Sequence, residues 1–244
     1  MNHVLITGAS GGIGLALAEA FARAGYGVAL HYHRHAQPAV EAALRLQDAY
    51  EVPTVALAAD LTDSAAVTRL VDTAQRELGF LDTLVNNAGI AQHKLFTELT
   101  DEDWETMLSV HLGGAFRCCR AVLPEMIRRQ RGAILNVSSM WGQIGGACEV
   151  HYSAAKAGLI GLTRALAKEV GPSGITVNCI APGVIRTPML DSLSPETLGE
   201  LAEETPLRRL GTPEDVAAAA VFLASPAASF ITGQVLGVGG GIVI

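Results

Sequence analysis

The chain has 244 residues, half of them hydrophobic and 17% charged, which suffices for a sizeable core in one large domain or two small ones. Its formal net charge of −7 and its lack of a basic run argue against general nucleic-acid binding, and its longest uncharged apolar runs fall far short of the ~20 residues of a membrane span. Four cysteines without metal-ligand spacing, behind an N-terminus that has no basic leader, predict a reduced cytoplasmic protein with no metal site.

Predicted strands and helices alternate along the chain. Short apolar runs predict seven strands, at 3–7, 28–32, 54–58, 81–85, 133–137, 175–180 and 235–238. Helical patterns lie between them, at 15–24, 36–50, 63–78, 101–129 (two stretches), 151–170, 195–204 and 213–224. This alternation predicts an α/β fold: a doubly wound, parallel, seven-stranded, Rossmann-like sheet with helices on both faces, in a single domain at 1–244.

Turn-forming residues follow four of the predicted strands at their carboxyl ends. A glycine-rich turn, Thr7–Gly14, follows the first strand and opens a helix. Glycines let a backbone approach a pyrophosphate, and the helix N-terminus beyond supplies free N–H groups. Similar turns follow strands four, five and six, at 86–89, 138–139 and 181–183. Each turn alone is explained by turn chemistry, but together on one rim of a parallel sheet they predict a dinucleotide-binding site.

The end of the second strand indicates which dinucleotide is bound. A carboxylate there would accept the ribose 2′-hydroxyl of NAD(H), whereas an arginine would suit the 2′-phosphate of NADP(H). The chain reads His31-Tyr-His-Arg34-His35, with no carboxylate before Glu41. Arg34 therefore predicts NADP(H), and the alternative is a solvated basic loop.

Tyr152 and Lys156 stand four residues apart in an alanine-rich, apolar stretch, so they share one face of a predicted helix. A phenol titrates near pH ~10, and a fixed ammonium beside it favours the phenolate. Such a pair suits general acid–base catalysis. The alternative is a helix with one exposed lysine and one half-buried tyrosine.

A set of motifs spread over the chain resembles the short-chain dehydrogenase/reductase family: Thr7-Gly8-x-x-x-Gly12-x-Gly14, Asn86-Asn-Ala-Gly89, Ser139, Tyr152-x-x-x-Lys156 and Pro182-Gly183. The similarity extends to Ile231–Gln234, near the end of the chain, and within the family the chain looks most like the 3-oxoacyl-[acyl-carrier-protein] reductases. This resemblance implies NADPH-dependent reduction of a 3-oxoacyl thioester, carried by acyl carrier protein or CoA, as in fatty-acid biosynthesis, by a cytoplasmic homotetramer. Two alternatives stay open: a reductase or dehydrogenase of a free ketone, sugar or secondary alcohol, and a nucleotide-binding protein with impaired turnover.

The resemblance also implies residue roles. Tyr152 would donate a proton to the substrate oxygen, Lys156 would lower the pKa of Tyr152 and bind the nicotinamide ribose, and Ser139 would hydrogen-bond the carbonyl. The residues expected to contact the cofactor are Gly8, Ser10, Gly12, Ile13, Gly14, Arg34, Asp60, Leu61, Asn87, Ala88, Gly89, Pro182, Gly183, Ile185 and Thr187. Those expected to line the substrate pocket are Met140, Trp141, Gln143 and Ile144, with 188–210 as a mobile lid. Asp60 is equally explained as the cap of a turn, and Trp141 as a packing aromatic at a subunit contact.

Two positions near the predicted site, His111 and Gly11, depart from the family pattern. His111 stands where the family has an asparagine that links the lysine to solvent, so it would either relay protons, with pH sensitivity near ~6.5, or be a buried imidazole. Gly11 stands where many NADP-dependent members have a basic residue. A cluster of three arginines would dock an acidic carrier or form an ordinary solvated helix end: Arg128, Arg129 and Arg131.

Overall fold

The computed structural model describes residues 1–190 and 193–243. Seven strands form one parallel sheet in the order β3-β2-β1-β4-β5-β6-β7. Their bounds are β1 His3–Ile6, β2 Gly27–Tyr32, β3 Thr54–Ala58, β4 Thr83–Asn86, β5 Gly132–Val137, β6 Ile175–Pro182 and β7 Val235–Val238. The chain therefore winds outward twice from the β1–β4 pair, and the predicted doubly wound, seven-stranded α/β sheet is confirmed.

Nine α-helices flank the sheet within the described residues: α1 Gly12–Arg23, α2 Ala36–Tyr50, α3 Ser64–Leu78, α4 Asp101–Leu108, α5 Gly114–Arg129, α6 Trp141–Ile144, α7 Val150–Val170, α8 Pro195–Glu204 and α9 Pro213–Ala224. Two of them begin with a capping box, in which a threonine side chain and the third residue of the helix satisfy each other's backbone N–H groups. None of the helices that the structure describes is long and apolar enough to cross a lipid bilayer.

Each strand of the sheet centre contributes side chains to two separate cores. In β1, Val4 and Ile6 pack with α1, α2 and α9, whereas Leu5 packs on the opposite face with α3, α5 and α7. All three side chains are fully buried. This arrangement explains why the strands read as continuous apolar runs and not as alternating ones, since both faces are covered.

Two details near the rim where the strands end go beyond the sequence prediction. Strand β6 continues two residues past the predicted end, because Ala181 and Pro182 still pair with β7. The helical stretch 101–129 is divided by a π-helical turn, Ser109–Gly113, which separates α4 from α5. This wider turn places His111 inside the protein.

Candidate active site

The glycine-rich turn after β1 is locked to the turn after β4 by the side chains of Thr7 and Asn87. The Thr7 hydroxyl oxygen accepts hydrogen bonds from the backbone N–H groups of Asn87, at 2.9 Å, and Ala88, at 3.0 Å. In return, the Asn87 amide donates to the carbonyl oxygens of Thr7, at 3.0 Å, and Gly8, at 3.2 Å. These bonds bring two of the predicted cofactor segments together on the same rim.

The turn is also too tight for side chains at its glycines. Gly8 has a positive φ of 67°, which glycine adopts without strain. A Cβ atom added at Gly14 would lie 2.1 Å from the carbonyl oxygen of Gly8, so α1 packs directly against the turn. The first turn of α1 therefore presents its free backbone N–H groups directly beside the turn after β1. Free N–H groups at a helix N-terminus bind phosphate, so these residues fit the pyrophosphate of a dinucleotide.

His31 holds the glycine-rich turn in place by hydrogen bonds, a role that was not predicted from the sequence. Its Nδ1 atom accepts a hydrogen bond from the Gly8 N–H at 3.1 Å, and its Nε2 atom lies 3.1 Å from the carbonyl oxygen of Ala59. Burial lowers the pKa of His31 to about 4, so the imidazole is neutral at physiological pH and keeps Nδ1 free to accept. The available signal was a histidine at an inward-facing position of an apolar strand.

Arg34, expected to bind the 2′-phosphate of the ribose, and Asp60, expected to contact the adenine, lie near each other after β2 and β3. Arg34 is exposed, and His33 Nε2 lies 3.9 Å from a carboxylate oxygen of Asp60. Asp60 also accepts hydrogen bonds from the backbone N–H of Thr62, at 2.8 Å, and from its hydroxyl, at 2.7 Å. These two bonds, and then the charges of His33 and Arg34, hold the pKa of Asp60 below its usual value. Asp60 therefore caps a turn here, and its contact with the adenine stays a prediction.

The three predicted catalytic side chains come together where β5 ends and α7 begins. Lys156 is buried, and its ammonium donates to the carbonyl oxygen of Val137 at 2.8 Å while lying 5.4 Å from the centre of the Tyr152 ring. The Ser138 hydroxyl donates to the Lys156 carbonyl oxygen at 2.8 Å, which ties α7 to the end of β5. The Ser139 side chain lies close enough to the Tyr152 hydroxyl to lower its pKa, so serine, tyrosine and lysine form one cluster.

The electrostatics of this cluster correct one expectation. Burial raises the pKa of Tyr152 to about 12, against the opposing effect of the Ser139 hydrogen bond, and the charge of Glu149 adds to the rise. The expected lowering of the Tyr152 pKa by Lys156 was therefore wrong for this structure. The physical reason is that the ammonium is directed at the Val137 carbonyl oxygen, and burial itself lowers the pKa of Lys156 to about 8.

His111 is a buried neutral imidazole next to Tyr152. The two rings meet edge to face, with centres 5.3 Å apart, and His111 Nε2 lies 3.0 Å from the nitrogen and 2.9 Å from the oxygen of Ile90. Burial first, and then the charge of Lys156, lowers the pKa of His111 to about 3. Of the two alternatives for His111, the structure therefore fits the buried imidazole and not a group that titrates near pH ~6.5. A Cβ atom at Gly89 would lie 2.3 Å from the ring, so the glycine of that turn makes room for this histidine.

The residues predicted to line the substrate pocket lie on the short helix α6. Trp141 is half-buried, whereas Gln143 and Ile144 are exposed. The Trp141 indole packs against the backbone of Gly146, where an added Cβ atom would lie 2.9 Å from the ring. Glu149, which was not predicted from the sequence, is half-buried beside this helix, and burial raises its pKa.

The predicted lid begins directly above the glycine-rich turn. A Cβ atom at Gly12 would lie 2.9 Å from Thr187, and Ile185 forms an isolated parallel bridge with Gly211 at the far end of the segment. Between these points lie a 3-10 turn, Pro188–Leu190, and helix α8. Residues 191 and 192 of the predicted lid lie outside the described residues.

The arginine cluster lies at the opposite edge of the sheet, before β5 begins. Arg128 and Arg129 both pair with Glu125, and Arg131 pairs with Asp82 at 2.9 Å. The guanidinium groups of Arg129 and Arg131 also stack on the Phe80 ring, at 5.1 and 5.0 Å from its centre. These ion pairs fit the alternative of an ordinary solvated helix end, and docking of an acidic carrier at this cluster stays a prediction.

Comparison with known proteins agrees with this geometry. Residues 8–243 match a family model described as enoyl-(acyl carrier protein) reductase. An uncharacterized oxidoreductase, YmfI of Bacillus subtilis, is 40% identical over 237 residues, which cover 97% of each chain. The 3-oxoacyl-[acyl-carrier-protein] reductase FabG of Staphylococcus aureus strain Mu50 is 40% identical over 241 residues, 99% of this chain and 98% of its own. FabG of Chlamydia muridarum is 41% identical over 238 residues, 98% and 96% of the two chains.

Proposed function

This chain belongs to the short-chain dehydrogenase/reductase family, and from that premise we propose that it reduces the keto group of a 3-oxoacyl thioester with NADPH. The broader assignment is an oxidoreductase that acts on the CH–OH/C=O pair with a nicotinamide cofactor. The observation that carries the proposal is the cluster of Ser139, Tyr152 and Lys156 at the carboxyl ends of the strands, beside a glycine-rich turn that fits a dinucleotide.

The side chains of this cluster suit reduction more than oxidation at neutral pH. The reduced nicotinamide supplies the hydride when it is bound, and negative charge then develops on the substrate oxygen. Tyr152 holds its proton at neutral pH, because burial raises its pKa to about 12, and it donates that proton to the oxygen. Ser139 offers a second hydrogen bond to the same oxygen, and Lys156 places a positive charge behind the phenol ring.

The preference for NADPH rests on Arg34. Replacing Arg34 by aspartate removes a bidentate phosphate donor and adds a like charge, so we expect the KM for NADPH to rise by about 10- to 100-fold with little change for NADH. Steady-state kinetics with both nucleotides measures the ratio. Arg69→Asp is the matched control, since it makes the same charge change on the exposed face of α3. An unchanged nucleotide preference in Arg34→Asp would refute the assignment.

The thioester substrate is supported by the similarity to FabG proteins, which are 3-oxoacyl-[acyl-carrier-protein] reductases, and to the enoyl-(acyl carrier protein) reductase family model. The first test is NADPH oxidation with acetoacetyl-CoA, compared with a panel of free ketones, sugars and secondary alcohols. Turnover of the thioester alone supports the proposal, and turnover of free ketones alone supports the alternative reductase. Nucleotide binding without turnover of any carbonyl compound would favour a binding protein that has lost catalysis.

Replacement of His111 distinguishes an active enzyme from a nucleotide-binding protein with impaired turnover. We expect His111→Asn to keep kcat within about tenfold of wild type, since a neutral imidazole carries no charge to the site. The loss of its bond to Ile90 should lower the free energy of unfolding by about 1–2 kcal/mol. Kinetics and thermal unfolding measure the two effects. A collapse of kcat in a folded variant would show that His111 moves a proton itself.

The assembly and partners in this proposal follow from the family resemblance. They comprise a homotetramer, an acyl carrier protein as the donor of the substrate, a cytoplasmic location and the segment 188–210 as a lid. Several large apolar side chains on α4 and α5 are partly exposed, which supports association of subunits through these helices: Trp104, Phe116 and Ile127.

A further inference from the structure

The loop that follows β4 is bonded to two histidines next to Tyr152. The backbone nitrogen and oxygen of Ile90 lie 3.0 and 2.9 Å from Nε2 of His111, whose ring packs edge to face on the Tyr152 ring. Two residues further on, the side-chain oxygen of Gln92 lies 2.8 Å from Nε2 of His151, the residue directly before Tyr152 in α7. One short stretch of chain therefore contacts the surroundings of the proposed proton donor at two points.

The Asp103 carboxylate fixes the orientation of the Gln92 amide. Asp103 belongs to the capping box of α4, and its Oδ2 atom accepts from the Thr100 N–H and hydroxyl, both at 2.9 Å, and from Lys94 at 2.7 Å. Its Oδ1 atom accepts from the Gln92 side-chain nitrogen at 2.7 Å. These bonds, led by that from Lys94, hold the pKa of Asp103 well below its usual range, so the carboxylate is ionised and can only accept. The amide nitrogen of Gln92 must therefore face Asp103, and the amide oxygen faces His151.

The His151 ring depends on this amide for its hydrogen bonding. The side chain is fully buried, and burial lowers its pKa, so the ring is neutral at physiological pH. Because the Gln92 oxygen can only accept, Nε2 carries the proton, and Nδ1 is a buried acceptor without a hydrogen-bond partner among the described residues. Loss of the Gln92 amide would leave both ring nitrogens unpaired in a buried site, which favours a shift of the ring.

A second bond holds the segment before α7 against the same loop. The backbone N–H of Lys94 donates to the carbonyl oxygen of Cys148 at 2.8 Å. Cys148 has a φ of 60°, which residues other than glycine rarely adopt, and the chain enters α7 two residues later, at Val150. The loop after β4 thus fixes the entry into α7 at a backbone carbonyl and at the His151 ring. Since Tyr152 lies in the first turn of α7, its position follows from that of this entry.

We propose that Gln92 and His151 are positioning residues for Tyr152. The amide holds the imidazole, and the imidazole sets the first turn of α7, from which the Tyr152 hydroxyl reaches the substrate oxygen. This inference rests on the proposed carbonyl reduction and gives a role in it to two polar residues outside the serine, tyrosine and lysine cluster. The physical basis is that a misplacement of about 1 Å lowers the rate of a reaction by about 10²-fold, even when its cause lies away from the reacting atoms.

Replacement of Gln92 by methionine tests the inference, because methionine keeps the length of the side chain and removes its amide. We expect kcat for acetoacetyl-CoA to fall about tenfold or more, while the KM for NADPH stays within about twofold of wild type. Gln47→Met makes the same change on the exposed face of α2 and should leave both constants unaltered. His151→Gln keeps an N–H donor for the Gln92 oxygen, so it should lose less kcat than His151→Leu. An unchanged kcat in Gln92→Met would overturn the inference.

Fluorine NMR separates positioning of the tyrosine from a general loss of activity. Incorporation of 3-fluorotyrosine labels the four tyrosines of the chain, and Tyr152→Phe identifies the resonance of Tyr152. Gln92→Met should shift that resonance and leave the other three in place, whereas an unmoved Tyr152 resonance refutes the positioning role whatever the value of kcat. If Gln92→Met does not fold, Gln92→Asn takes its place in both measurements, since its amide is one methylene too short to reach both partners. If the wild-type protein reduces no carbonyl compound, the proposed function fails, and the fluorine spectra alone decide on Gln92 and His151.

Discussion

Replacement of Tyr152 by phenylalanine should lower kcat for carbonyl reduction by about 10²- to 10⁴-fold while the affinity for NADPH changes little. The variant removes only the hydroxyl, which is the proposed proton donor of the cluster and lies close enough to Ser139 for that side chain to lower its pKa. The ring and its edge-to-face contact with His111 remain, so the packing around the site should be preserved. Steady-state NADPH oxidation gives kcat, and fluorescence titration of the nucleotide gives the affinity.

Tyr26→Phe provides the control for this variant. It also removes one phenol hydroxyl, which here donates to the carbonyl oxygen of Ala224 at 3.4 Å, far along the chain from the catalytic cluster. Near-wild-type kcat is expected for Tyr26→Phe. Retained activity in Tyr152→Phe would remove Tyr152 from the mechanism and leave Ser139 or a solvent molecule as the proton source.

Replacement of Gly14 by alanine should abolish measurable nucleotide binding and destabilise the fold by about 1–3 kcal/mol or more. The added Cβ atom would meet the Gly8 carbonyl oxygen at 2.1 Å and the Cα atom of Ala9 at 2.8 Å. Because both contacts are backbone atoms, neither can move away without displacing the turn from β1 or α1 from the sheet. Thermal unfolding measures the stability, and calorimetric titration with NADPH measures the binding.

The same turn contains a control position for this second variant. Gly11 has a φ of −126°, which other residues adopt, and a Cβ atom added there would meet nothing within 4 Å. Gly11→Ala should therefore keep both the melting temperature and the NADPH affinity close to wild type. Normal nucleotide affinity in Gly14→Ala would show that the dinucleotide does not rest on this turn.

The fold was predictable from the sequence because the strands are covered on both faces. Buried runs such as Val4–Ile6 have no polar positions to confuse their assignment, and glycine turns mark where the helices begin. The ends of elements were less predictable. The extra length of β6 depends on pairing with β7, and the π-helical turn Ser109–Gly113 has no signal in hydrophobic periodicity, since the same residues suit a continuous helix.

The candidate site was predictable in its residues but not in its electrostatics. Spacing alone placed Tyr152 and Lys156 on one helix face, and the family motif added Ser139. The pKa values depend instead on how deeply each group is buried and on which partner it faces, and neither follows from spacing. For this reason the direction expected for the Tyr152 pKa was wrong, and for His111 the alternative of a buried imidazole fits the structure. His31 escaped notice because its importance comes from a neighbour distant in sequence, the Gly8 N–H.

The hydrogen bond between His31 and the Gly8 N–H limits which residues can be varied when the coenzyme preference is altered. Arg34, the residue proposed to select NADPH, stands only three positions beyond His31, just after β2 ends. Mutant libraries that randomise this whole stretch would replace the imidazole along with the arginine, and most of their members would lose the coenzyme altogether before any change of preference became visible. Designs that hold His31 constant and vary only the exposed positions after Tyr32 would sample specificity without that loss.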